Sequence, residues 1–209
     1  MNSEVKNICL RVSELYIKYG IKSITMDDIS RELGISKKTL YQFIEDKESL
    51  VSKVLDFLLV NVQEEIKTIQ KANMNAVEET LAINSHIART IEKYHNRGIN
   101  FDLRKYYPNI YRKFTEKKHA FAFESMTNNL NKGIAEKLYR DNLNVNIITK
   151  LQLARIESQI DNDLFPISEY SAQEIFKQIQ EYHMRGICTT EGIKIFEEKL
   201  NQYYANENY

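Results

Sequence analysis

The sequence predicts an all-α protein with a small helical head at its N-terminus and a larger helical body behind it. Three observations carry this. Apolar residues recur at spacings of three and four along most of the 209 residues. No alternating, strand-like stretch is bounded by turn clusters, and only two prolines and six glycines interrupt the chain. A chain of this length can bury one large core or two smaller ones.

The first helix is expected to start at a Ser3 cap and end at Gly20, because Val5, Ile8, Cys9, Val12, Leu15, Tyr16 and Tyr19 form one apolar stripe. The second spans Met26 to Leu33. Thr25 stands at its N-cap, Asp28 takes the carboxylate position of a capping box, and Gly34 can adopt the left-handed backbone that ends it. Ile29 and Leu33, four apart, give it one apolar side. The third helix follows a Ser36 cap. At 100° per residue Leu40 and Phe43 share one side with Ile44 at its edge, while Lys37, Lys38, Tyr41 and Gln42 cover the opposite arc.

Two short helices around a glycine-containing turn form the helix-turn-helix pattern, whose second helix enters a DNA major groove. The residues on the free arc suit that task. Lys37 and Lys38 can neutralise phosphates or reach guanine edges, Gln42 can pair with a base edge, and the Tyr41 hydroxyl can bond a phosphate. Thr25 and Lys47 stand at helix N-termini, where free N–H groups favour an anion. The bland alternative is an amphipathic hairpin with an ordinary solvated outer face. Two such short helices need the first helix behind them, so residues 1–46 form the predicted head and 47–209 the body.

From Asp46, a further cap, a pattern without a breaker runs to about Lys71, roughly 35 to 40 Å of helix. Leu50, Val54, Phe57, Leu58, Val62 and Ile69 lie on its apolar face, with Asn61 and Glu65 among them. Asn61 is either a core group satisfied by a neighbour or a cavity lining. Asn75 can cap the next helix, expected to run to about Asn96 and to stop at Gly98, with Asn84 and His95 on its inner side. The linker up to Pro108 has room for one short helix. Pro108 is acceptable in the first turn of a long aromatic-rich helix reaching Lys132, in which Ile110, Phe114, Phe121 and Ser125 share a face. Those aromatics read as core packing or as the wall of a small-molecule pocket. Helices at about 145–160 and 171–187 follow on either side of a loop around Pro166. The former places Ile147, Ile148, Leu151, Ala154 and Arg155 on one side, and the latter turns Ile175, Ile179 and Tyr182 inward. A final helix at about 190–204 precedes a frayed tail. Asn61, Asn84, Phe121, Ser125 and Arg155 are the candidate pocket residues.

Charge does not mark the head as a nucleic-acid binder, since residues 1–50 hold eight basic and eight acidic side chains. Binding would depend on where charges sit and would be salt-sensitive. Cys9 and Cys188 read as buried thiols, with a redox sensor as the lesser alternative. The four histidines have no metal-ligand spacing, and no phosphate loop, nucleophile elbow or zinc-protease motif occurs. The reading is of a non-enzyme without metal or cofactor. No apolar run is long enough to cross a bilayer and the start has no signal-peptide layout, so the expected location is the cytoplasm.

The run GISKKTLYQFIEDKESLV resembles the recognition helix and junction of the TetR family of bacterial transcription repressors. Gly34, Ser36, Thr39, Leu40, Tyr41 and Lys47 match the family pattern, whereas Phe43 replaces a frequent histidine and Ile44 a frequent phenylalanine. The phosphate contact of that histidine is therefore not carried over to Phe43. With Ser36 and Thr39 added from the motif, the candidate DNA-binding set is Thr25, Ser36, Lys37, Lys38, Thr39, Tyr41, Gln42 and Lys47. The segment GIAEKLYRDNLNVNIITKL is also similar to the family. The resemblance implies a homodimer through the helices at about 145–160 and 171–187, a pseudo-palindromic operator in double-stranded DNA, and release by a small-molecule effector bound in the body. The competing readings are a helical carrier or enzyme with a vestigial head, and a DNA-organising protein with no effector.

Overall fold

The computed structural model describes residues 2–94, 97–158, 169 and 171–205. Among them are ten helices: α1 (Ser3–Tyr19), α2 (Met26–Leu33), α3 (Lys37–Phe43), α4 (Lys47–Lys71), α5 (Ala76–Tyr94), α6 (Arg97–Tyr106), α7 (Pro108–Ala135), α8 (Val145–Ser158), α9 (Ala172–Ile187) and α10 (Thr190–Ala205). The all-α prediction holds, and the described residues contain no strand beyond an isolated antiparallel bridge between Tyr139 and Cys188.

Local chemistry sets most of the boundaries. The Thr25–Asp28 capping box forms with both of its reciprocal bonds, and Gly34 ends α2 at φ 69° in the left-handed region. Ser36 accepts the Thr39 N–H at 3.0 Å, Asp46 that of Ser49 at 2.7 Å, and Asn75 that of Glu78 at 3.0 Å. Ser171 and Glu174 form a second complete capping box at α9. Two expectations need correction. The cap of α1 is Asn2, whose amide oxygen accepts the Val5 N–H at 2.9 Å, and Ser3 is the first helical residue. Asparagine caps as well as serine, and one step earlier it reaches the N3 donor. Gly98 does not end a helix either: it lies within α6, the short helix allowed for before Pro108, and the described part of α5 runs to Tyr94. The Pro166 loop, residues 159–160 and the end of the predicted tail lie outside the described residues.

The chain divides into two compact units, Met1–Glu65 with Glu92–Lys118, and Ile66–Ile91 with His119–Tyr209. The predicted 1–46 head is one part of the first unit, which also holds the start of α4, α6 and the start of α7. Its core joins Val5, Cys9, Val12 and Tyr16 of α1 to Ile29, Leu40, Ile44, Leu50, Val51, Val54 and Leu55, and closes over Leu103 of α6. In α4 Val51, Leu55, Leu59 and Ile66 are buried as well as the expected Leu50 and Val54, so more than one face of that helix is covered.

The second unit packs Ala76, Val77 and Leu81 of α5, Leu130 of α7, Tyr139, Met184, Ile187, Cys188 and Phe196 together. A buried polar group runs through it. Asn129 donates to the Ala76 carbonyl and to Glu79, both at 3.0 Å, and the Tyr139 hydroxyl reaches the same carbonyl at 3.0 Å. Lys132 donates to Glu79 at 2.6 Å and to the Met74 carbonyl at 2.7 Å. The ring of Tyr139 lies against Gly133, where a Cβ would come within 2.0 Å of Cδ2, so only glycine fits. Both cysteines are buried and neither is in a disulfide, and burial raises both thiols, Cys9 to about 11 and Cys188 to about 12.

Candidate nucleic-acid interface

The third helix is fixed from behind. Leu40 and Ile44 are fully buried, and Phe43 packs against the same core, as the spacing required. Behind α2, Arg11 of α1 donates to the carbonyls of Glu32 and Leu33. These are free acceptors at the negative end of a helix, where a guanidinium is favoured. The two short helices are thereby held against α1 by apolar packing on one side and by a cation at the α2 terminus.

The predicted arc divides into groups that face outward and groups already engaged. Lys38, Tyr41 and Gln42 are exposed, Tyr41 by 49%. Among the described residues Lys38 forms no ion pair. Lys37 does, reaching Asp27 of α2 at 2.5 Å, so its charge is partly neutralised by the neighbouring helix. Ser36 and Thr39 are bound to each other at 2.8 Å and serve the cap. Thr25 donates its hydroxyl to Asp28 at 2.6 Å, and that bond, with the Thr25 backbone N–H, holds the Asp28 carboxyl below the usual range.

Lys47 starts α4 and lies near enough to Asp28 for the two charges to act on each other. The starts of α2 and α4 therefore adjoin. The Lys47 ammonium donates to the Lys22 carbonyl at 3.2 Å, and burial pulls its pKa down against the opposing effects of Asp102 and Asp28. Lys22, Asp102 and Tyr106 were missed from the sequence. Asp102 accepts the Lys22 N–H at 2.8 Å across 80 positions, and no local signal reports a contact of that span.

The five candidate pocket residues are distributed differently. Asn61 belongs to the first unit and Asn84, Phe121, Ser125 and Arg155 to the second. Ser125 accepts from Gln70 at 2.9 Å, Phe121 lies under the Lys67 ammonium at 6.0 Å, and Arg155 stacks over Tyr182 at 5.7 Å. Gln70 and Lys67 were not anticipated. An open groove of about 580 Å³ on the head, between Leu15 and Tyr19 of α1 and Asp28, Arg31 and Glu32 of α2, contains none of the five. On α8, Ile147 and Leu151 are exposed by 54% and 57%, and on α9 Tyr182 by 76%. Tyr182 was expected to face inward and does not.

Comparison with known proteins places these features in context. Residues 13–54 match the family described as bacterial regulatory proteins, tetR family. YvaF of Bacillus subtilis strain 168, an uncharacterised helix-turn-helix-type transcriptional regulator, is 23% identical over 174 residues, covering 81% of this chain and 88% of that protein. A regulator of the TetR/AcrR family from Thermobifida fusca YX-ER1 superposes with a TM-score of 0.68 at 20% identity, over 88% of this chain and 98% of the other. A transcriptional regulator from Cytophaga hutchinsonii ATCC 33406 gives 0.70 at 17% identity, over 90% of this chain and 100% of its own.

Proposed function

We propose that this chain, whose residues 13–54 match the tetR family of bacterial regulatory proteins, is a dimeric repressor of that family, released from a pseudo-palindromic operator by a small molecule. DNA reading is assigned to residues 1–46 and effector binding and dimerisation to 47–209. The observation that carries the proposal is the sidedness of α3, with Leu40 buried and Lys38, Tyr41 and Gln42 presented outward. Two copies of that helix, about 34 to 36 Å apart, would enter successive major grooves. Lys38 and Gln42 are the base readers, and Tyr41, Thr25 and Lys47 the phosphate contacts. Lys37, tied to Asp27, has the smaller share.

Dimerisation is assigned to α8 and α9, because the exposed Ile147, Leu151 and Tyr182 are apolar surface that a second copy would cover. The effector is assigned to the body, where Ser125 and Gln70 offer polar anchors near Phe121. A ligand releases the operator only if it binds the DNA-incompetent arrangement more tightly, and about 1 to 3 kcal/mol of coupling gives a useful response. No described helix is long and apolar enough to cross a membrane, in keeping with work on DNA in the cytoplasm. The test is selection of duplexes from a random pool by the protein and by Lys37→Ala/Lys38→Ala. An inverted repeat enriched by the former and lost by the latter is expected; no enrichment at low salt would refute sequence reading by α3.

A further inference from the structure

We infer that Asp102 is a positioning residue for DNA binding: from α6 it fixes the turn between α1 and α2, and through that turn the ammonium of Lys47. The inference rests on the reading of Lys47 as a phosphate contact and adds the residue that aims it.

The turn from Gly20 to Ile24 leads directly into the Thr25 cap of α2, so its backbone decides where the start of α2 stands. Asp102 accepts the Lys22 N–H at 2.8 Å, and the residue as a whole is buried, 9% exposed. A buried carboxylate is tolerated where donors face it, and the Lys22 backbone is such a donor. Gly20 makes the approach possible. Its φ is 81°, which disfavours a side chain, and a Cβ there would come within 3.3 Å of the Asp102 Oδ2.

Lys22 is held a second time by the same helix. Its ammonium donates to the Tyr106 hydroxyl at 2.8 Å and lies 4.4 Å from the centre of that ring. The third polar group of Lys22, its carbonyl, accepts the Lys47 ammonium at 3.2 Å. A connected path therefore runs from Asp102 and Tyr106 of α6, through one residue of the turn, to the first residue of α4. Leu103, 2% exposed in the head core, anchors α6 between its two polar contacts. Lysine has a flexible four-carbon stem. Fixing the carbonyl to which its ammonium returns narrows the directions it samples, and these lie beside the adjoining starts of α2 and α4.

The test is a set of double-mutant cycles on operator affinity, using the selected duplex and the full-length protein. Lys47→Ala and Asp102→Ala are each expected to weaken binding about tenfold, and the double variant less than about twofold further, because both remove one contact. Combined with Lys38→Ala, the Asp102→Ala loss should multiply in full. Asp102→Asn, which can still accept the Lys22 N–H, should bind within about twofold of the parent. Tyr106→Phe, at an exposed position, supplies a second cycle that does not depend on the alanine variant folding. It should weaken binding about threefold alone and hardly at all on top of Lys47→Ala. Losses that multiply between Asp102 and Lys47, or parental binding by Asp102→Ala, would overturn the inference. Parental binding by Lys47→Ala would instead remove the phosphate role of Lys47 itself, a failure separable from the other two.

Discussion

The helix-turn-helix and the core of the second unit place their polar chemistry differently. Around the two short helices, polar side chains close short local loops: Thr25 with Asp28, Ser36 with Thr39, Asp46 with Ser49, each three residues apart. In the second unit, the decisive polar contacts cross about 50 to 60 positions, from Glu79 to Asn129 and Lys132 and from Ala76 to Tyr139. The head uses buried apolar residues for stability and leaves the polar arc of Lys38, Tyr41 and Gln42 outward, where the proposed DNA contact would lie. The body buries part of its polar chemistry and leaves apolar Ile147, Leu151 and Tyr182 outward. The same substitution type should therefore change different properties in the two units.

The largest effect expected is in the body. Lys132→Met leaves the Glu79 carboxylate, 5% exposed, without its ammonium partner. Removing one member of a buried pair costs about 3 to 5 kcal/mol, so the unfolding midpoint in urea should fall sharply, and Lys132→Met/Glu79→Gln should recover much of the loss. A double variant no more stable than the single one would show that the pair is not what holds α5 to α7.

A pH ramp sharpens the same contrast. His183 of α9 is held down to about 4, first by burial and then by the Arg155 charge. Its folded value lies below the unfolded value near 6.5, so the neutral ring favours the fold. That contribution is complete above about pH 6.5 and is lost as the pH falls from there towards 4. Between pH 7 and 4.5 the parent should lose about 2 kcal/mol more than His183→Gln. Equal losses would remove His183 from the acid sensitivity.

The difference in contact span also explains what could be read in the sequence. Caps, the Gly34 turn and the 3.6-residue apolar period act within a few positions, so α2 and α3 and the outward placement of Lys38, Tyr41 and Gln42 followed from local rules. Asn2 displaced Ser3 as a cap only because two good capping residues adjoin. Lys37 was placed on the free arc correctly, but its Asp27 partner belongs to the preceding helix and depends on the crossing of two elements. Lys22 and Asp102 lie 80 positions apart, and Tyr182 could be assigned inward or outward only by knowing what α8 and α9 leave uncovered. In α4, burial on more than one face erases the single stripe that periodicity looks for.

Within the head, a cap and a reader should separate. Thr25→Ala removes both hydrogen bonds of the Thr25 hydroxyl, one of them half of the capping box, and leaves Asp28 accepting the backbone N–H of residue 25; loss of such a cap costs about 1 kcal/mol. The denaturation midpoint should drop modestly, and operator and random duplexes should both bind more weakly because the start of α2 frays. An unchanged midpoint would mean that Asp28 alone sustains the cap.

The smallest effect on stability should accompany the most selective effect on binding. Lys38→Ala and Gln42→Ala alter exposed side chains on α3, so the unfolding free energy should stay within about 0.5 kcal/mol. Loss of a base contact costs about 1 to 3 kcal/mol on the operator and little on random DNA, so their ratio of affinities should fall about tenfold. Tyr41→Phe, which removes only a hydroxyl able to meet a phosphate, should weaken both duplexes together and leave the ratio intact. Titration of the three variants against operator and random duplexes at fixed salt measures this directly. If all three lower the ratio equally, α3 does not divide its arc between bases and backbone. The contrast with Lys132→Met then still separates stability from binding, but not one reader from another.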